Sequence, residues 1–149
     1  MNNMKAMLAV LVVVLVLSYS LGMLLENDEK RADIEFVSDC DLVNETCHIK
    51  ERSVEYEVGF DGEPSPLKPF GINLRSLNNQ PINVVVTFEM EGMDMGYNAF
   101  PLANDGANWN SKVLLPVCSL GRNDWIMRLT YSTKMMNHLT VFRFTQISQ

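Results

Sequence analysis

The stretch richest in chemistry is Phe88-Glu89-Met90-Glu91-Gly92-Met93-Asp94-Met95-Gly96-Tyr97-Asn98. Met90, Met93 and Met95 cluster here at the end of a strong strand pattern. Met93 and Met95 are two residues apart, so in extended chain their thioethers share one face. A thioether is a soft, uncharged donor that suits Cu(I), and it stays a ligand in an oxidising compartment where thiolates are lost. Gly92 and Gly96 let the backbone bend around a ligand. The competing reading is that these methionines fill irregular gaps at a strand end, and the ten methionines of the chain favour it. The acidic, glycine-rich flanks favour metal.

The other soft or borderline donors are few. Cys118 follows Pro116 near a turn; it is read as a buried thiol, a disulfide partner, or a further soft ligand folded towards Met93 and Met95. Met135, Met136 and His138 form a second, weaker cluster that a solvated hairpin tip also explains. Cys40 and Cys47 flank Asp41 to Thr46, which reads as a hairpin tip, and His48 adjoins Cys47. Closeness in sequence makes Cys40 and Cys47 the default disulfide, with the two pairings to Cys118 still open. The same two residues with His48 also read as a dithiol ligand set. The staple is preferred, because an unprotected dithiol tends to oxidise outside the cytoplasm.

Enzymatic chemistry has little to work with. There is no Cys-x-x-Cys pair, no phosphate-binding glycine loop and no serine nucleophile in motif context. Glu91 and Asp94 are carboxylates at a bend with nothing to pair them as acid and base. The expectation is a protein that is not an enzyme. Nucleic acid is not an expected partner either: the net charge is -6 with no basic patch, and phosphate binding relies on clustered Lys and Arg.

Strands must position these residues. Val54, Tyr56, Val58 and Phe60 alternate with polar or small neighbours, the period of a half-buried strand. Ile82, Val84, Val86 and Phe88 repeat it. Val113 to Val117 is a further run, and Trp125 to Tyr131 and His138 to Phe144 alternate again. Turn signals separate them at Asp61-Gly62-Glu63-Pro64, Asn78-Asn79-Gln80-Pro81, Asn104-Asp105-Gly106 and Gly121-Arg122-Asn123-Asp124. The prolines between Asp61 and Phe70 predict a loop or a strand-switching crossover. No segment after residue 30 carries a helical stripe. Short strands at this spacing predict a β-sandwich or barrel.

The N-terminal segment Met7 to Leu25 has no charged residue. Its length just suits one transmembrane helix, which needs about 20 apolar residues. Lys5 and the amino terminus on the cytoplasmic side would export the rest, although Lys30 and Arg31 oppose that orientation. A cleaved signal peptide ending near Ser18-Tyr19-Ser20 is the rival reading. The retained anchor is preferred because Leu21 to Leu25 extends the apolar run. The expected organisation is a membrane anchor over 1–25, a juxtamembrane linker and first strand over 26–38, and a periplasmic β-sandwich over 39–149.

A family resemblance follows from particular residues. Gly92-Met93-Asp94-Met95-Gly96, then Leu102, Gly106 and Trp109, Leu114 to Val117, and Gly121 with Trp125 resemble the Met-x-Met-Gly layout of FixH-like and YtkA-like domains. Cys40-Asp41-Leu42 and Cys47, with Leu115-Pro116-Val117-Cys118 and Gly121, resemble still more a group of proteobacterial single-pass membrane proteins. The likeness spans Val84 to Thr130, with support from Cys40 to Cys47. It implies an all-β, immunoglobulin-like or cupredoxin-like sandwich behind one transmembrane helix in the bacterial inner membrane. It also implies a copper-binding or metallochaperone-like role beside cytochrome oxidase assembly, with an oxidase subunit or copper chaperone as partner. Met90, Met93, Met95, Cys118 and His138 would then be the Cu(I) ligand candidates. Such domains often carry histidines near the methionines. Here the only two, His48 and His138, lie far off in sequence. The alternative is a metal-free interaction module of a respiratory membrane complex, with the Met-Gly loop as contact surface.

Overall fold

The computed structural model describes residues 33–93, Gly96 and 98–146, together with Met7, Leu11, Val12 and Val14. Two compact units are present, Met1–Arg31 and Ala32–Gln149. In the first, the four described residues are helical and exposed. The rest of the expected anchor lies outside the described residues. Among the described residues no helix is long and apolar enough to cross a membrane.

The second unit is an all-β sandwich of two five-stranded sheets. In chain order its strands are β1 (Asp33–Ser38), β2 (Cys47–Glu51), β3 (Val54–Asp61), β4 (Phe70–Ser76) and β5 (Asn83–Glu89). They continue as β6 (Ala99–Pro101), β7 (Ala103–Asp105), β8 (Asn108–Val113), β9 (Asp124–Ser132) and β10 (Asn137–Thr145). One sheet has the order β1-β10-β9-β5-β6 and the other β2-β3-β4-β8-β7. All pairings are antiparallel except β1 with β10.

Alternation places the core as expected in β3, β5, β9 and β10. Val54, Tyr56 and Val58 face Val84, Val86, Phe88, Trp125, Met127, Leu129, Tyr131 and Phe142 in one buried cluster. Three expectations need correction. Ile82 is exposed, because β5 starts one residue later, at Asn83, and its alternation begins with Val84. The run Val113 to Val117 is not a strand. The strand there is β8, Asn108–Val113, whose Trp109 and Val113 point inward while its asparagines face out. Only Leu115 of the later run turns back to the core, through a bridge to Pro66. The segment Asp41 to Thr46 is not a hairpin tip either, since β1 and β2 belong to different sheets. The proline-rich stretch after Asp61 is a loop joining neighbours β3 and β4.

The interior differs between the two ends of the sandwich. At the end where β3, β5 and β10 finish, Phe60, Phe70, Phe88, Phe100 and Phe144 pack edge to face with centroids 5.1–6.3 Å apart. Edge-to-face geometry sets the positive ring edge against the negative ring face. At the other end the two sheets meet through hydroxyls. Tyr56 Oη and Thr140 Oγ1 are 2.6 Å apart, and Ser76 Oγ and Tyr131 Oη 2.8 Å. Tyr56 and Tyr131 stack with centroids 5.0 Å apart.

Candidate soft-metal site

The methionine segment leaves β5 at the phenylalanine end. Met90 continues the inward alternation of Val84, Val86 and Phe88 and is buried. The chain then turns at once: the Met93 N–H donates to the Met90 carbonyl at 3.1 Å, and the two residues form an isolated bridge. Gly92 makes this possible with φ of 72°, a left-handed conformation that costs glycine little. The turn brings the Met93 side chain back onto the core, where it packs half-buried against the main cluster. Met95 lies outside the described residues.

The loop from β8 to β9 supplies the second sulfur. Anchored at Leu115, it descends to Cys118, which is a buried free thiol. The Gly121 N–H closes a turn on the Cys118 carbonyl at 3.0 Å. The Cys118 thiol then donates to Met93 Sδ at 3.5 Å. Residues 25 positions apart in the chain thus present a thiol and a thioether to each other. Met90, Met93 and Cys118 sit at one end of the fold.

His138 does not join them. It is the second residue of β10, and its end of that strand is the hydroxyl end of the sandwich. The Met93 turn lies beyond the Thr145 end, roughly 20 Å away at about 3.3 Å per strand residue. Met135 is highly exposed and Met136 half-buried in the loop before it. The expected cluster of Met135, Met136 and His138 is therefore split between surface and interior.

His138 is instead fully buried between the sheets, with Nδ1 3.9 Å from Glu51 Oε2 on β2. That separation is too long for a hydrogen bond. His138 Nδ1 and Nε2 and Glu51 Oε2 are buried without a hydrogen-bond partner. Burial pushes the His138 pKa down, with the carboxylate of Glu51 opposing and Arg52 assisting.

Cys40 and Cys47 are joined as a disulfide, with S–S of 2.02 Å and Cα atoms 5.9 Å apart. This removes both from any dithiol ligand set. The bond ties the end of β1 in one sheet to the start of β2 in the other. His48 points away to Glu55 on β3, at 3.1 Å.

Among the described residues, no three His, Cys, Asp or Glu side chains converge as metal donors. The remaining coordination chemistry is that of sulfur. Sequence reasoning placed Met90, Met93 and Cys118 as candidates but missed Arg122. Its guanidinium donates from Nη1 to the Glu91 carbonyl at 2.8 Å and from Nε to Asp124 Oδ1 at 2.9 Å, with a second contact to Asp124 Oδ2. The turn signature Gly121-Arg122-Asn123-Asp124 marked the place without indicating a bridge to residue 91.

No family model matches the chain, and no curated protein does. One solved structure, that of an engineered protein, is similar with a TM-score of 0.47 and 16% identity over 64% of this chain. This chain spans 20% of the length of that protein.

Proposed function

We propose that this chain is a membrane-anchored, exported Cu(I)-binding protein of metallochaperone type, accessory to cytochrome oxidase assembly in a bacterial inner membrane. The observation that carries the reading is the 3.5 Å contact between Cys118 Sγ and Met93 Sδ. With metal–sulfur bonds of about 2.3 Å, sulfurs at that spacing subtend roughly 100° at a bound ion, close to a tetrahedral angle. A thiolate with a thioether suits Cu(I) over hard cations. The adjoining methionines, Met90 and Met95, are the candidates for further donors.

Two features support export. The Cys40–Cys47 disulfide fits an oxidising compartment. The uncharged stretch from Met7 to Leu25 fits an anchor that leaves the sandwich in the periplasm. An immunoglobulin-like or cupredoxin-like subclass is the finer form of this reading, and the two-sheet architecture accommodates both.

A second reading rests on a different observation. Leu114, Val117 and Leu120 around Cys118 are exposed, at 41%, 57% and 75%. An apolar rim of this kind suits adaptable protein contacts in a metal-free module of a respiratory complex. A Cu(I) titration of the full-length protein against a colorimetric chelator, with thiols counted in the same sample, separates the two. Stoichiometric binding weakened in a Met93→Leu, Met95→Leu variant supports copper handling. Absence of binding in the reduced wild type overturns it. Capture of an oxidase subunit by metal-free wild type and variant alike then favours the interaction module.

A further inference from the structure

The two sulfurs reach each other from segments with no strand pairing between them. Met93 sits on the tight turn after β5, and Cys118 on the irregular stretch between β8 and β9. Besides the sulfur contact, Arg122 links these segments. Its guanidinium accepts nothing and offers a planar fork of donors. One arm reaches the Glu91 carbonyl in the Met90–Met93 turn at 2.8 Å. The other holds Asp124, the first residue of β9, at 2.9 Å from Nε. Asp124 is itself fixed by pairing with Thr145 at the end of β10. The turn is thus tied through one side chain to the rigid sheet.

We propose that Arg122 is the clasp of the Met93–Cys118 site: by bridging the Glu91 carbonyl to Asp124 it holds the two segments closed over the thiol and keeps the two sulfurs together for Cu(I). The guanidinium stays charged at any ordinary pH, so both of its arms are charge-assisted donors. The backbone carbonyl of Glu91 is the recognised group, so the side chain at position 91 is free to vary. The positioning of the sulfurs for Cu(I) rests on the soft-donor reading above. The closing of the thiol does not.

Cys118 is the single free thiol, since the other two cysteines are bonded, so its alkylation by a maleimide reads the opening directly. In metal-free full-length protein, Arg122→Ala is expected to react about tenfold faster than wild type at an unchanged melting temperature, as local opening without global unfolding requires. Arg122→Lys keeps one donor to the Glu91 carbonyl and is expected to restore part of the protection. Equal rates in wild type and Arg122→Ala overturn the clasp. If Arg122→Ala is poorly folded, Arg122→Lys decides: an unchanged rate there overturns it as well. Cu(I) competition on the same samples adds the second arm. Wild-type binding with about tenfold weaker binding in Arg122→Ala supports the positioning, and wild-type binding matched by Arg122→Ala overturns it. A wild type that binds no Cu(I) overturns the soft-donor reading and the positioning, and the alkylation rates still decide the clasp.

Discussion

Met93 Sδ accepts a hydrogen bond from the thiol of Cys118 across 3.5 Å, at the phenylalanine-lined end of the sandwich. Met93 packs against the core beside the buried Cys118, the only one of the three cysteines that is not in a disulfide. Replacing Met93 by Leu keeps the volume and removes the donor. The expected result is a loss of Cu(I) affinity of about tenfold or more with stability changed by less than about 1.5 kcal/mol. Chelator competition and thermal melting on one preparation test it; equal loss of both would point to packing.

The disulfide between Cys40 and Cys47 closes a short loop at the crossing between sheets. Chain-entropy reasoning gives about 2 kcal/mol for so short a loop. A Cys40→Ser, Cys47→Ser variant is expected to melt roughly 5–10 °C lower. Cu(I) stoichiometry is expected to stay unchanged, because the bonded sulfurs are not ligands.

His138 makes stability depend on pH with a definite sign. Burial lowers its pKa in the folded state below the ordinary value of 6.5. The folded protein therefore binds fewer protons than the unfolded chain just below that pH, and stability falls as pH drops. The contribution is fully present above pH 6.5 and is lost progressively below it. Urea unfolding at a series of pH values from neutral to mildly acid is expected to show this slope in wild type. A His138→Gln variant is expected to show a shallower one.

Tyr56 and Thr140 join the sheets through hydroxyls 2.6 Å apart. Tyr56→Phe leaves Thr140 Oγ1 buried and unpartnered, at an expected cost of about 1–3 kcal/mol. Adding Thr140→Val removes the orphan, so the double variant is expected to recover part of that loss. Additive losses in denaturant unfolding would show that the two hydroxyls are not coupled.

Much of the architecture was local information. The period-two patterns of Val54–Phe60, Trp125–Tyr131 and His138–Phe144 named three strands, because a strand buried on one face writes its pattern into consecutive residues. Met90, read from the sequence only as one of the methionines at a strand end, continues the inward alternation of Val84, Val86 and Phe88. The turn residues at Asn104-Asp105-Gly106 and Gly121-Arg122 were equally plain, since glycine there supplies positive φ, 71° and 68°.

The remainder depended on partners distant in the chain. Asn108–Val113 is a strand because β4 and β7 flank it, whereas its asparagines argue against strand in isolation. The more hydrophobic Leu114 to Val117 has no such pairing beyond the single bridge of Leu115 to Pro66. His138 looked like a ligand beside two methionines, yet its place in β10 turns it into the interior, opposite Glu51 of the other sheet. Residue types along the chain determined that soft donors and a two-sheet strand pattern would be present. Strand order and register, which depend on pairings such as Asp33 with Asn137 across the length of the domain, determined that Cys118 would meet Met93 and that His138 would not.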